Sequence, residues 1–154
     1  MFTWFLNASE NRRSLMLALL IPLALVSFAA PAGAGNHGLI KADAAFALSS
    51  AGAMTIIDVR SPSEWQQTGV PKGARRVTIH DPGGIKGFVA AVIIEMGNDL
   101  DRPVALICAR GNRSTRAQRA LRDAGFKRVL NIREGILGSS TGRGWLKRGL
   151  PLER

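Results

Sequence analysis

The chain is short of the groups on which many enzymes and most disulfide-built secreted domains depend. Among 154 residues it has one cysteine, Cys108, and two histidines, His37 and His80. A lone cysteine excludes an intrachain disulfide, so a stapled fold is out and Cys108 is either an inert buried thiol or a reactive one. The His and Cys spacing supports no metal site, and no cofactor motif is present; neither metal nor cofactor is expected. Tyrosine is absent, and six Phe and three Trp bring aromatics to only 6%, so the core must close on Leu, Ile, Val and Ala. Acidic residues are also scarce, 11 against 21 Lys and Arg, for a formal net charge of +10. Such a balance suits nucleic acid, an anionic membrane surface or a small anionic ligand. The cations are scattered through the C-terminal half, and no basic run with interleaved aromatics offers a stacking surface, which argues against nucleic acid.

What is present suffices for one ordinary domain, with 46% hydrophobic and 21% charged residues. The first 34 residues read as an address: Arg12 and Arg13, an almost unbroken apolar stretch from Leu15 to Ala30, then Ala32-Gly33-Ala34 before Gly35. That apolar stretch of about 16 residues is short of the ~20 needed to span a bilayer, and Pro22 interrupts it. Residues 1–34 are therefore expected to be a cleaved secretory signal and 35–154 the mature domain, periplasmic or secreted, without a stable membrane span after cleavage. An uncleaved anchor is the alternative. Asn11-Arg12-Arg13-Ser14 resembles a twin-arginine signal with Asn11 where Ser or Thr is usual, which leaves the export route open.

From Gly35 onward short β-like runs alternate with helical segments, the pattern of an α/β domain with a parallel sheet. Helices are expected over Asp43 to Ser50, Ser63 to Gln67, Ile85 to Met96 and Ser114 to Ala124. Strands are expected over Met54 to Val59, Arg76 to Ile79, Val104 to Ile107 and Val129 to Ile132. The apolarity of Ile85 to Met96 on all sides implies that much of it is buried. Val104 to Ile107 is apolar on both faces, as a central strand covered on two sides must be. Ser114 is read as the N-cap of the helix that follows and Gly125 as its stop, with an apolar stripe at Ala117, Ala120, Leu121 and Ala124 and with Arg116, Arg119 and Arg122 opposite.

Cys108 closes that central strand and opens the run Cys108-Ala109-Arg110-Gly111-Asn112-Arg113-Ser114. At the carboxyl end of a strand, a tight loop can turn its amides inward, and the positive end of the next helix faces the loop. Arg110 and Arg113 add full charges. All of these favour an anionic sulfur, the nucleophilic form of the residue. Gly111 suits a positive φ or a close backbone approach, and Asn112 tolerates the same turn.

This run resembles the active loop of the rhodanese sulfurtransferases. Ile57-Asp58-Val59-Arg60 with Glu64-Trp65 and Gly73-Ala74 is similar to that family's first signature. Gly125-Phe126, Val129, Gly135, Trp145 and Gly149-Leu150-Pro151 are similar to its closing segment, so the likeness runs over about residues 54–151. Two departures lie outside the loop: Val70-Pro71-Lys72-Gly73-Ala74 carries one residue more than the usual Ile-Pro-Gly-Ala, and Ile136 stands where a second Gly is usual. Gly138 to Gly144 reads as an insertion that either alters the rim of the site or forms a flexible loop.

The resemblance implies a rhodanese-like three-layer α/β domain with a mainly parallel central sheet flanked by helices. It further implies that Cys108 attacks the outer sulfur of thiosulfate or a similar donor and carries it as a persulfide to a nucleophilic acceptor, a thiol or a cyanide-like anion. Arg110, Gly111, Asn112, Arg113 and Ser114 would then bind the donor, with Asp58 and Arg60 in support. Oligomeric state is left open. The competing readings are a persulfide carrier or a non-catalytic binding module on the same fold, and a thiolate phosphatase or arsenate reductase. Related phosphatases have a loop one residue longer, with Arg six places after the Cys; here Arg113 comes five places after Cys108 and Ser114 six. Trp65 and Trp145 are read as packing residues and His80 as a turn residue.

Overall fold

The computed structural model describes residues 38–154; the expected secretory segment and its cleavage point lie outside the described residues. Helix α1 (Ala42–Ser50) begins after Lys41, which makes no side-chain cap. The cap comes from elsewhere: the Ala42 N–H donates to Glu134 Oε1 at 2.7 Å, across 92 residues of sequence. Strand β1 (Thr55–Asp58) leads to α2 (Pro62–Thr68), whose start is fully local. Ser61 accepts from the Glu64 N–H while the Glu64 carboxylate accepts from the Ser61 N–H, a capping box with Pro at the first helical position, and Gly69 ends the helix at φ 77°.

Next come β2 (Val70–Pro71), β3 (Arg75–Arg76) and α3 (Gly84–Glu95), then β4 (Val104–Ile107), α4 (Asn112–Asp123) and β5 (Val129–Asn131). The short helix α5 (Gly144–Lys147) and β6 (Leu152–Glu153) complete the chain. The main sheet has the order β3-β1-β4-β5, all parallel, and β2 pairs with β6 in a separate antiparallel ribbon. Strand β4 is thus central, with β1 on one side and β5 on the other, and all four of its residues are buried.

Side chains alternate across the sheet with the period of two that strands impose. Val104, Leu106 and Cys108 join Ile57, Val59, Phe88, Val92 and Leu121 on the face covered by α3 and α4. Ala105 and Ile107 join Ile56, Ala45, Ile132, Ile136 and Trp145 on the face covered by α1 and α5. Each fully buried Val, Leu or Ile contributes roughly 1.5–3 kcal/mol. Cys108 therefore stands on the α3/α4 side of the sheet.

Three expectations are corrected. The second strand is shorter than Arg76 to Ile79: only Arg75–Arg76 is a strand, although the Val77 and Ile79 amides still reach the carbonyls of Asp58 and Val59. Helix α3 fully buries only Phe88 and Val92, with Met96 at its end; Ile85, Val89, Ala91 and Ile93 are partly buried against the core and Ile94 is 74% exposed, so the helix is covered on one side and not all round. Helix α4 starts three residues earlier than expected, with Gly111 in place of Ser114 as its N-cap and Ser114 in its first turn. Its stripe is also split: Ala117 and Leu121 are buried, while Ala120 and Ala124 are only partly covered. The Gly138 to Gly144 stretch forms a tight turn in which Ser139 and Gly142 exchange backbone hydrogen bonds at 3.0 and 3.1 Å.

Candidate active site

Cys108 emerges from β4 with only 1% of its surface exposed, and its sulfur sits at the start of α4. The Gly111 N–H donates to Sγ at 3.1 Å, and the Ser114 hydroxyl lies 3.4 Å from Sγ and 3.1 Å from the Gly111 carbonyl oxygen. That hydroxyl has one proton and two acceptors in reach, so extra negative charge on sulfur would recruit it. The N–H groups of Ala109, Arg110, Asn112, Arg113 and Ser114 find no acceptor among the described residues. A loop of unpaired amides at the positive end of a 12-residue helix is a cradle for an anion.

The loop is held open by backbone contacts that leave no room for side chains. Gly111 has φ 93°, and a Cβ there would run into the Arg133 carbonyl. Gly135 has φ 69°, and a Cβ there would lie 2.5 Å from the Ala109 carbonyl oxygen. The segment after β5 thus lies directly against the loop, where Ile136 and Leu137 donate to the carbonyls of Cys108 and Ala109 at 2.9 and 3.0 Å. Those bonds occupy the Cys108 and Ala109 carbonyls and fix the loop backbone beside the Gly111 N–H that donates to sulfur.

The two arginines of the loop differ. Arg110 is exposed, with a single long hydrogen bond from Nη1 to the Gly138 carbonyl at 3.4 Å. Arg113 is engaged: Nη1 and Nη2 each donate to Glu64 at 2.6 Å, a bidentate pair, and Nη1 lies 3.5 Å from His80 Nε2. The Arg113 hydrogen bond, with those from Ser61, overcomes partial burial and holds the Glu64 carboxyl down at about 2. Reciprocally, the Glu64 hydrogen bond and charge keep Arg113 more firmly protonated, with smaller contributions from Cys108 and Asp58. Asn112 is exposed at the loop's outer edge.

Asp58 and Arg60 are fully buried against each other at the end of β1. Both Asp58 oxygens accept from Arg60, whose guanidinium also donates to the Thr68 hydroxyl and to the carbonyls of Glu64 and Gly69. No hydrogen bond joins Asp58 to the cysteine loop among the described residues. Its support is indirect: Asp58 holds Arg60, Arg60 grips the carboxyl end of α2, and α2 presents Glu64 to Arg113 in the loop.

Two residues of the site's frame were not legible as such in the sequence. Glu64 could be read as a capping-box residue from Ser61-Pro62-Ser63-Glu64, but its second partner lies 49 residues on. Glu134 is buried and accepts from Ala42 N, Gly144 N and Arg148 at 2.7–3.3 Å, tying α1, α5 and the loop-supporting segment together. Burial opposes its charge, yet Arg148 and the two amides outweigh it and lower the Glu134 pKa. Nothing short-range in the sequence marks that role.

The chain matches the model of the rhodanese-like domain over residues 41–140. It is 32% identical over 98 residues to a sulfurtransferase of Allochromatium vinosum, covering 63% of this chain and 76% of that protein. An uncharacterised protein of Rickettsia prowazekii is 28% identical over 98 residues, 62% of this chain and 80% of its own. Among solved structures, the polysulfide-sulfur transferase homodimer of Wolinella succinogenes superposes with a TM-score of 0.57 at 27% identity, covering 75% of this chain and 77% of that one. A Rhodopseudomonas palustris protein described as a possible tyrosine phosphatase superposes equally well, with a TM-score of 0.57 at 26% identity over 75% of this chain and 83% of its own. With the parallel sheet, the cysteine at the end of its central strand and the match over most of the described residues, the chain belongs to the rhodanese-like domain family.

Proposed function

We propose that the protein is a sulfurtransferase that moves sulfane sulfur from thiosulfate or a similar anionic donor to a nucleophilic acceptor through a persulfide on Cys108. The observation that carries this reading is the cradle: Sγ takes the Gly111 N–H at 3.1 Å, and five further amides in the loop and first turn lack acceptors. In the first step the Cys108 thiolate attacks the outer sulfur of the donor. A new S–S bond forms, the donor's S–S bond breaks, and sulfite leaves with the bonding pair. In the second step an acceptor thiolate or cyanide attacks the terminal sulfur, and the electron pair returns to Cys108. Sulfur is anionic at each stage, so fixed N–H donors serve throughout and no general base is required.

The phosphatase alternative fits less well. A phosphoryl-transfer loop needs a guanidinium aimed at the transferred group, and here Arg113 gives two 2.6 Å hydrogen bonds to Glu64. Arg110, exposed at the rim, is the cation available to an anionic donor. We also propose that the domain acts outside the cytoplasm after removal of residues 1–34, on the strength of the charge, apolar run and small-residue series at the N-terminus.

Incubation with thiosulfate followed by mass spectrometry tests the reading. The protein should gain the mass of one sulfur atom on Cys108, and cyanide should remove it as thiocyanate. Cys108→Ser should gain nothing while keeping its unfolding midpoint. Hydrolysis of an aryl phosphate without sulfur transfer would replace this reading by the phosphatase, and a stable persulfide that no small acceptor discharges would mark a carrier.

A further inference from the structure

Helix α3 leaves an apolar face only partly covered, and the reason lies in its spacing. Ile85, Val89 and Ile93 recur every fourth residue on one side, while Phe88 and Val92 take the side that packs on the sheet. The α3 stripe runs beside α4, where Ala120 and Ala124 are too small to fill the gap. The result is an open groove of about 760 Å³ between the two helices. From Ile85 to Ile93 the groove follows α3 for about 12 Å, and along α4 it runs for about 18 Å at 1.5 Å per residue. It is an elongated trough and not a rounded pocket.

Its rim is charged with one predominant sign. Lys86 on α3 and Arg116 and Arg119 on α4 border it, against a single carboxylate, Asp123, near the far end. The near end is Asn112, the first residue of α4, and Cys108 lies on the same face of the sheet as the two helices. One end of the trough therefore lies at the first turn of α4, the turn that also carries Ser114 beside Sγ.

We propose that this groove is the docking surface for an acidic amphipathic helix of the protein that accepts sulfur from Cys108, an inference that rests on the sulfurtransferase reading. An apolar floor two to three turns long matches the i, i+3, i+4, i+7 stripe of a helix laid into a groove. Lys86, Arg116 and Arg119 match carboxylates along its flanks. A second copy of this chain is a poor occupant, because a +10 chain would bring its own cations against this rim. A thiol at the end of the docked helix beside Asn112 would sit at the first turn of α4, the turn that carries Ser114 next to Sγ. The acceptor thiolate attacks the terminal sulfur, its S–S bond forms as the Cys108 S–S bond breaks, and Cys108 leaves as thiolate.

The test uses the full chain and synthetic helical peptides of about 14 residues, enough to fill the trough. One carries Leu in a single stripe with Glu on both flanks, the other the same stripe with Lys; each has a terminal Cys. The acidic peptide should bind by fluorescence anisotropy, weaken as salt rises, and discharge the persulfide faster than free cysteine does. The pair Arg116→Glu, Arg119→Glu, and separately Val89→Asp, should weaken binding at least about tenfold. Both variants should keep thiosulfate-to-cyanide transfer; the arginine pair should also keep the unfolding midpoint, while Val89→Asp, at a side chain partly packed on the core, should lower it. Equal binding of the Lys peptide, no binding of the acidic one, or binding indifferent to these variants would overturn the proposal. If no persulfide forms, the sulfurtransferase reading fails, while the anisotropy series still reports on the groove by itself. Binding to anionic lipid vesicles, with the same dependence on Arg116 and Arg119 and none for the peptide, would assign the groove to a membrane instead.

Discussion

Two glycines with nearly the same backbone and different surroundings separate loop geometry from backbone strain. Gly73 has φ 77° and nothing within 4 Å of the place a Cβ would take; Gly135 has φ 69° and meets the Ala109 carbonyl oxygen at 2.5 Å, its carbon at 2.7 Å and the Arg110 nitrogen at 2.8 Å. Alanine at either position carries the left-handed penalty of about 1–2 kcal/mol. Only Gly135→Ala must also push the loop away. Opening the 2.5 Å contact to a van der Waals distance of roughly 3.4 Å displaces the Ala109 backbone by about 0.9 Å. That movement strains the hydrogen bonds from Ile136 and Leu137 to the loop carbonyls and adds about 1–3 kcal/mol.

The consequence for chemistry exceeds the consequence for stability. The cradle amides are rigidly linked to Ala109 and Arg110, and a displacement near 1 Å at a reacting centre costs on the order of 100-fold in rate. At about 4 °C per kcal/mol, Gly73→Ala should lower Tm by about 4–8 °C and keep sulfur transfer within about twofold. Gly135→Ala should lower Tm by about twice as much and sulfur transfer from thiosulfate to cyanide by about two orders of magnitude. Differential scanning calorimetry and initial rates, with both variants below their transitions, provide the comparison. Equal activity of the two variants would refute the claim that Gly135 shapes the loop.

Arg110→Ala should raise KM for thiosulfate about five- to tenfold with kcat nearly unchanged, the mark of ground-state binding of an anion by an exposed guanidinium; steady-state kinetics showing a fall in kcat alone would contradict it. Glu64 has its carboxyl lowered from 4.5 to about 2 by Arg113, so its contribution to stability is full above pH 4.5 and is lost as pH falls toward 2. Urea midpoints of the parent chain and Glu64→Gln should therefore differ most near neutrality and converge between pH 4.5 and 2; parallel curves would deny the coupling. N-terminal sequencing of protein from an exporting bacterial host should give a mature chain starting at or near Gly35, and an intact Met1 on a membrane-embedded product would reject cleavage.

The sequence by itself determined the elements whose signals are local. The four buried residues of β4 announce themselves as Val104-Ala105-Leu106-Ile107, an unbroken apolar run. Helix α2 carries its own capping box and stop in Ser61, Glu64 and Gly69. The placement of Cys108 between a central strand and a helix followed from these periods, and with it the chemistry of an anionic sulfur. Tertiary structure decided what depends on partners far along the chain. Ser114 has the composition of an N-cap, but the left-handed Gly111 takes that position, which puts the serine hydroxyl in the first turn beside sulfur. Arg113 reads as a free cation in the loop, and only the packing of α2 shows that Glu64 claims it. Helix α3 looked buried because apolarity on all sides is what burial requires; whether a neighbour covers each side is settled by the helix beside it, and Ala120 and Ala124 are too small to do so. Glu134 binds groups drawn from three separate stretches of chain, an arrangement that no local pattern encodes because it exists only once the sheet has brought them together.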